Sequence, residues 1–192
     1  MRSLLSCACA AGGLTVSVLS AHDPGAWTKG TCGKDGSRQR AECNLKVYDA
    51  AAQAAAAAGA ELLVLPEGYG LSANPSKDGF FEPLAADGGL LLCGGDGRDQ
   101  PQQAALSCSA QRHGVALAAN VFVQLSNGTK RIVELVYNTT GHLVSVYHKH
   151  HLFPTEIGIF EPGPFKPTTV DLLGRRWGVV ICWEGAYPTV TG

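Results

Sequence analysis

Apolar positions in this chain come in short runs separated by polar, glycine-containing breaks. Leu14–Ser20 (LTVSVLS) is apolar and rich in β-branched residues, and it stops before the turn cluster His22-Asp-Pro-Gly. This predicts a first buried strand, or an extension of a leader-like N-terminus. Residues 28–40 are polar with three glycines and predict a loop. The spacing then becomes helical: Leu45, Tyr48 and Ala52 share one face of Glu42–Ala58, and the alanine run stops at Gly59. Glu61–Leu65 (ELLVL), closed by Pro66, has the continuous apolar character of a buried parallel strand.

Residues 66–101 lack periodicity and predict a long excursion, the kind of loop that often carries function. Gln102–Arg112 predicts a second helix ending at His113-Gly114, and Val115–Gln124 another strand. Ile132–Asn138 and His142–His148 flank Thr139-Thr-Gly141 and predict a hairpin. Thr168–Leu172 and Trp177–Cys182 predict a second strand pair around Gly174, joining the same sheet. Parallel strands with crossover helices followed by antiparallel strands describe an α/β layered fold with a mixed sheet.

Composition narrows the function classes. The 192 residues carry 15 Lys+Arg against 16 Asp+Glu, a net charge of −1, so no basic footprint points to nucleic acid. No internal apolar run reaches the roughly 20 residues of a membrane span. The start, MRSLLSCACAAGG, has one Arg and a short apolar stretch ending in small residues, so residues 1–13 read either as a secretory signal or as a plain N-terminus. Asn127-Gly-Thr129 and Asn138-Thr-Thr140 have the form of N-glycosylation acceptors. Secretion is therefore the expected localisation, with the cytoplasm as alternative. The cysteines number seven, so at least one stays unpaired within the chain. Without Cys7 and Cys9, four could form two bridges beside Cys182.

Three chemistry-bearing residues each fall at the end of a predicted strand. Glu67 follows LVLP, Lys149 follows the strand ending at His148, and Cys182 ends WGVVIC. Ligands of parallel α/β sheets sit beyond the carboxyl ends of the strands. Taken singly, each residue has a plain structural explanation: a solvated carboxylate, a basic surface patch, a small buried hydrophobe. Together they place a base, a cation and a thiol at converging strand ends. His148, His150 and His151 do not read as zinc ligands, because consecutive residues on an extended chain alternate in direction and no Cys or carboxylate stands at ligand spacing.

These segments resemble the carbon–nitrogen hydrolase (nitrilase) superfamily. LVLPEGYG is similar to its glutamate strand, VYHKHHLFPTE to its lysine segment and WGVVICWEGAYP to its cysteine segment. NLKVYDAAAQAAAAAGAELLVLPEGYG and VYNTTGHLVSVYHKHHLFPTEIGIFEPG resemble the vanin/biotinidase (pantetheinase) branch in order and spacing, although Cys182-Trp183-Glu184 stands where that branch has Cys-Phe-Asp. The resemblance implies a nitrilase-like αββα sandwich, incomplete at the C-terminus, with residues 14–192 forming the N-terminal part of the hydrolase domain. It implies Glu67 as general base, Lys149 as electrostatic stabiliser, Cys182 as nucleophile, Glu156 as a second glutamate near the site, and the Trp183 N–H as an oxyanion donor. It also implies a Cys93–Cys108 bridge, with Cys32 and Cys43 as the second pair.

The function implied is hydrolysis of a non-peptide amide through a Cys thioester, with no cofactor. The partner is a small amide substrate, and the full-length form is expected to be a homodimer. A nitrilase, or an inactive truncated pseudoenzyme, is the alternative.

Overall fold

The computed structural model describes residues 4–8, 14–19, 36–67, 79–85, 89–95 and 97–187. Ten strands and two helices follow one another as β1 (Leu4–Ala8), β2 (Thr15–Leu19), α1 (Arg38–Ala57), β3 (Leu62–Val64), β4 (Glu82–Pro83), β5 (Leu90–Leu91), α2 (Pro101–His113), β6 (Ala116–Gln124), β7 (Lys130–Tyr137), β8 (His142–His148), β9 (Thr168–Leu172) and β10 (Arg175–Val179). A short 3-10 turn over Cys182–Ala186 ends the described chain.

The main sheet has the order β1-β2-β3-β6-β7-β8-β5, with β4 also pairing with β6. β2, β3 and β6 are parallel, as the crossovers through α1 and α2 require, while β6, β7 and β8 are antiparallel hairpin strands. The helices pack on one face through Tyr48, Ala52, Leu63, Leu106, Leu117 and Leu135. The opposite face meets β9 and β10 through Leu62, Phe122, Ile132, Val170, Leu172 and Val179. The layers thus run helices, sheet, sheet.

Four sequence expectations are corrected. β9 and β10 do not join the main sheet; they form a separate two-stranded sheet that covers its second face. Their turn is tight, with Leu173 and Gly174 both at positive φ (54° and 71°), and the pair lies over the main sheet because Val170, Leu172 and Val179 bury their apolar surface against Phe122 and Ile132. The last strand ends at Val179, not at Cys182, because the chain turns there. Helix α1 starts at Arg38, inside the expected loop, because the Ser37 hydroxyl accepts the Arg40 N–H at 3.1 Å and caps it. The excursion over 66–101 contributes the short strands β4 and β5, which its lack of periodicity hid.

Residues 4–8 pair with β2 as an antiparallel strand, and the rest of residues 1–13 lies outside the described residues. Cys93 and Cys108 are joined by a disulfide, and Cys43 is also disulfide-bonded. Cys32 lies outside the described residues. No helix among the described residues is long and apolar enough to cross a membrane.

Candidate active site

Each site residue stands just past a strand. The Leu65 N–H donates to the Ala118 carbonyl at 2.9 Å, which extends β3 and delivers Glu67 at the sheet's carboxyl edge. The Lys149 N–H donates to the Ile132 carbonyl at 2.9 Å, so Lys149 continues the β7–β8 ladder. Its own carbonyl accepts the Gly163 N–H at 2.7 Å. That approach needs glycine: a Cβ at Gly163 would meet the His148 carbonyl oxygen at 2.5 Å. The loop between Lys149 and Gly163 is thereby closed on itself, and it carries Glu156.

The Lys149 side chain is fully buried, and its ammonium donates to Glu67 Oε1 at 2.5 Å and Glu156 Oε1 at 2.8 Å. Burial alone would lower the Lys149 pKa, but the hydrogen bonds and charges of Glu156 and Glu67 outweigh it and hold the pKa above the ordinary lysine value. Glu156 has no exposed side-chain surface, and its other oxygen accepts the Phe153 N–H at 2.7 Å. Glu67 retains 17% side-chain exposure, so it is the member of this triplet that faces outward.

Cys182 is a free, exposed thiol. It opens the 3-10 turn with φ at 55°, a conformation that costs a non-glycine residue about 1–3 kcal/mol and persists where the surroundings enforce it. Glu67, Trp183 and Lys149 are the groups that act on its thiol. Burial, then the charge and hydrogen bond of Glu67, raise the thiol pKa; the Trp183 N–H and the Lys149 ammonium lower it only in part. The resting group is therefore a protonated thiol in the field of a carboxylate.

The enforcing contact is Glu184, the third residue of Cys182-Trp183-Glu184. Its carboxylate is fully buried. Oε1 accepts the Tyr147 hydroxyl and the backbone N–H groups of His150 and His151, each at 2.9 Å, and Oε2 accepts the Ile181 N–H at 3.2 Å. A buried acid two residues beyond a candidate nucleophile, in an otherwise apolar stretch, was the available signal. Burial and Glu184 together keep the Tyr147 hydroxyl protonated far above its usual range.

Trp183 donates its indole N–H to the His151 carbonyl at 2.8 Å and packs edge-on against Phe153 and Tyr187. His150 Nδ1 donates to the Gly163 carbonyl at 2.7 Å, and His151 stacks on Tyr187 at 4.0 Å. The site thus brings Glu67, Lys149, Glu156, Cys182 and Trp183 together. Asn127 and Asn138 lie apart from it in the β6–β7 and β7–β8 turns, and the Cys93–Cys108 bridge ties α2 to the segment before it.

The sequence profile of the carbon-nitrogen hydrolase family matches residues 36–191. The chain belongs to that family. Among curated proteins it is similar to pantetheinase of Canis lupus familiaris, 29% identical over 167 residues covering 77% of this chain and 32% of that one. It is also similar to a probable nitrilase of Schizosaccharomyces pombe, 39% identical over 62 residues covering 29% of this chain and 22% of that one.

Among solved structures, the NitN amidase of Nesterenkonia sp. AN1 superposes with a TM-score of 0.63 at 23% identity, covering 78% of this chain and 55% of that one. The family fold expected from the three motifs is thus present. The chain spans about a third of the pantetheinase's length and about half of the amidase's.

Proposed function

We propose that Cys182, Glu67 and Lys149 hydrolyse a carbon–nitrogen bond of a small amide through a thioester on Cys182. The observation that carries this reading is Glu67, which holds the Lys149 ammonium and whose carboxylate also acts on the Cys182 thiol. A free thiol near its ordinary pKa of about 8.5 is mostly protonated at neutral pH. Glu67 takes that proton as the sulfur attacks the amide carbon. The oxyanion that forms is bound by the Lys149 ammonium and the Trp183 N–H, donors of a kind worth about 10²–10³ in rate. The carbon–nitrogen bond breaks, the amine leaves with the proton from Glu67, and the acyl group stays on sulfur. Water then gives a proton to Glu67 and attacks the thioester, releasing the acid and the thiol. Glu156 holds the far side of Lys149 throughout.

The pantetheinase similarity along most of the chain favours a pantetheine-like secondary amide as substrate. The similarity of a shorter stretch to a probable nitrilase favours organic nitriles as the second reading. The disulfides at Cys93 and Cys43 favour an oxidising compartment, hence secretion. The experiment is incubation of the purified protein with pantetheine analogues and with nitriles, followed by mass spectrometry of the intact chain. An acyl adduct on Cys182 from the amide, lost in Cys182→Ala, is the expected result. Turnover of amides by Cys182→Ala would refute the nucleophile, and turnover of nitriles alone would move the substrate class.

A further inference from the structure

The main sheet leaves part of one edge uncovered. On its inner side β8 pairs with β7 from Leu143 to His148. On its outer side β5 reaches two positions, with Leu90 against Leu143 and Leu91 against His142, and the Gly89 N–H donates to the Leu143 carbonyl at 2.7 Å. At the other end Gly163 lies so close to the His148 carbonyl oxygen that a Cβ there would meet it at 2.5 Å. Between these two stops, Val144, Ser145, Val146 and Tyr147 have no second strand beside them among the described residues. Val144, Ser145 and Val146 are half-buried. The Lys149 N–H points to β7, where it meets the Ile132 carbonyl. Backbone direction alternates along a strand, so the N–H and C=O of Val146 point the other way, out of the sheet edge.

The open stretch is one wall of a groove of about 590 Å³. The facing wall is Pro164, Lys166, Pro167 and the first residues of β9, Thr168 and Thr169. That wall does not complete the ladder: the prolines have no N–H to offer, and β9 pairs with β10 rather than with β8. A strand edge with a free N–H and C=O beside a groove is the geometry by which an extended peptide adds as one more strand.

The slot selects its occupant. The open stretch, Val144 to Tyr147, is too short for a second copy to lay its own seven-residue β8 alongside. A short extended segment fits between the two stops. Lys166 is the standing cation of the groove and no carboxylate lines it, so its complement is an acidic side chain. Val144 and Val146 offer apolar surface to a β-branched one.

We propose that this slot is a docking site for a short, acidic, extended segment of a partner protein, which pairs with Val146 as an added strand and sets a carboxylate against Lys166. The slot stands apart from the thiol, on the strand whose Tyr147 hydroxyl holds Glu184 and whose end carries Lys149.

The test uses the purified chain and two fluorescent peptides, EVTVE and KVTVK, each blocked at both ends. EVTVE should bind saturably and at least about threefold more tightly than KVTVK, the scale of opposite against like exposed charges. Lys166→Glu should reverse that order. Val146→Pro removes the outward N–H and should weaken EVTVE binding at least about tenfold, with Cys182 alkylation by iodoacetamide unchanged. If Val146→Pro does not fold, hydrogen exchange replaces it: the Val146 amide should exchange at least about tenfold more slowly with EVTVE bound. Failure of both peptides to bind at about 1 mM, or binding that leaves Val146 exchange unchanged, overturns the proposal. Equal affinity for the two peptides, untouched by Lys166→Glu, overturns the acidic assignment. A chain that sediments as a dimer and is split by EVTVE overturns the partner protein in favour of a second copy.

Discussion

The carboxylate of Glu184, two residues after Cys182, accepts the backbone N–H of His150, one residue after Lys149, at 2.9 Å. This contact fixes the thiol-bearing turn against the lysine-bearing strand end. It also satisfies donors that would otherwise be buried without partners: the N–H groups of His150, His151 and Ile181 and the Tyr147 hydroxyl. Each orphaned buried donor costs about 1–3 kcal/mol. Glu184→Ala should therefore lower unfolding stability by roughly 3–5 kcal/mol, and Glu184→Gln by less, because the amide oxygen keeps part of the acceptor role. Urea unfolding measures both. A Glu184→Ala protein as stable as wild type would show that the clamp is unimportant.

The Lys149 ammonium is the countercharge of two carboxylates, so its removal should cost more than a lost hydrogen bond. Breaking a buried pair typically costs about 3–5 kcal/mol because the partner charge is stranded. Lys149→Met should show this loss, and adding Glu156→Gln should restore most of the stability. On the proposed mechanism the double variant should still lack at least about 10² of the hydrolytic rate, since the proposed oxyanion donor is gone. Denaturation and single-turnover assays separate the two effects. Full recovery of rate in the double variant would contradict the stabilising role of Lys149. The sign with pH also follows: a lysine whose pKa is raised on folding contributes its stability below the ordinary lysine value and loses it only as pH climbs past the raised one.

Much of this site was legible in the sequence because three residue types stand directly after apolar runs, and strand ends are set by those runs. Glu67, Lys149 and Cys182 were readable in that way, and the helices were readable from Ala spacing and from Gly59 and Gly114. Glu184 was not, because its role depends on backbone N–H groups 33 and 34 residues earlier in the chain, and no local pattern records such a contact. Glu134 was hidden for a related reason. In an alternating strand its position reads as an outward polar residue, but β9 and β10 cover that face. Since the sequence suggested that this pair extended the main sheet, the covering layer, and with it the burial of Glu134, could not be anticipated.

The Cys93–Cys108 bridge closes a loop of 15 residues between the β5 region and the middle of α2. Cross-links of that span stabilise by about 2–4 kcal/mol, chiefly by restricting the unfolded chain. Replacing both cysteines by serine should lower the thermal midpoint accordingly while leaving Cys182 alkylation at its wild-type rate. Peptide mapping without reductant should recover the two cysteines as one linked pair; finding either of them alkylated would remove the bridge.

Glu134 of β7, whose buried carboxyl accepts the Asn120 Nδ2–H at 3.2 Å in the layer between the two sheets, makes a stability prediction of its own. Its pKa rises on folding from the usual carboxyl range to about 8, so between those values the native state binds a proton that the unfolded chain has released. The contribution of Glu134 is largest in acid and is lost as pH rises, by a few kcal/mol in total, until the native carboxyl ionises. Glu134→Gln should flatten this part of the stability–pH curve and be the more stable protein at about pH 8 and above. Parallel slopes for the two proteins from about pH 5 to 8 would show that Glu134 is ionised in the fold.

The two glycosylation sequences differ in how their asparagines are held, and this predicts different outcomes in a secretory host. Asn127 is exposed at the β6–β7 turn, and its Oδ1 accepts only the Thr129 N–H among the described residues, at 3.0 Å. Asn138 is half-buried, and its Oδ1 accepts the Thr140 N–H, the Thr140 hydroxyl and the His142 N–H at 2.8–3.0 Å. A glycan on Asn138 has to be accommodated within a turn whose hydrogen bonds already engage the same side chain, whereas Asn127 presents its amide to solvent. Intact-mass analysis should therefore find a glycan removed by Asn127→Gln. Asn138→Gln should leave that glycan in place and instead cost about 1–2 kcal/mol, the scale of losing a side-chain cap on a turn. A glycan that persists in Asn127→Gln and disappears in Asn138→Gln would reverse the assignment and show that the β7–β8 turn opens before the chain is modified.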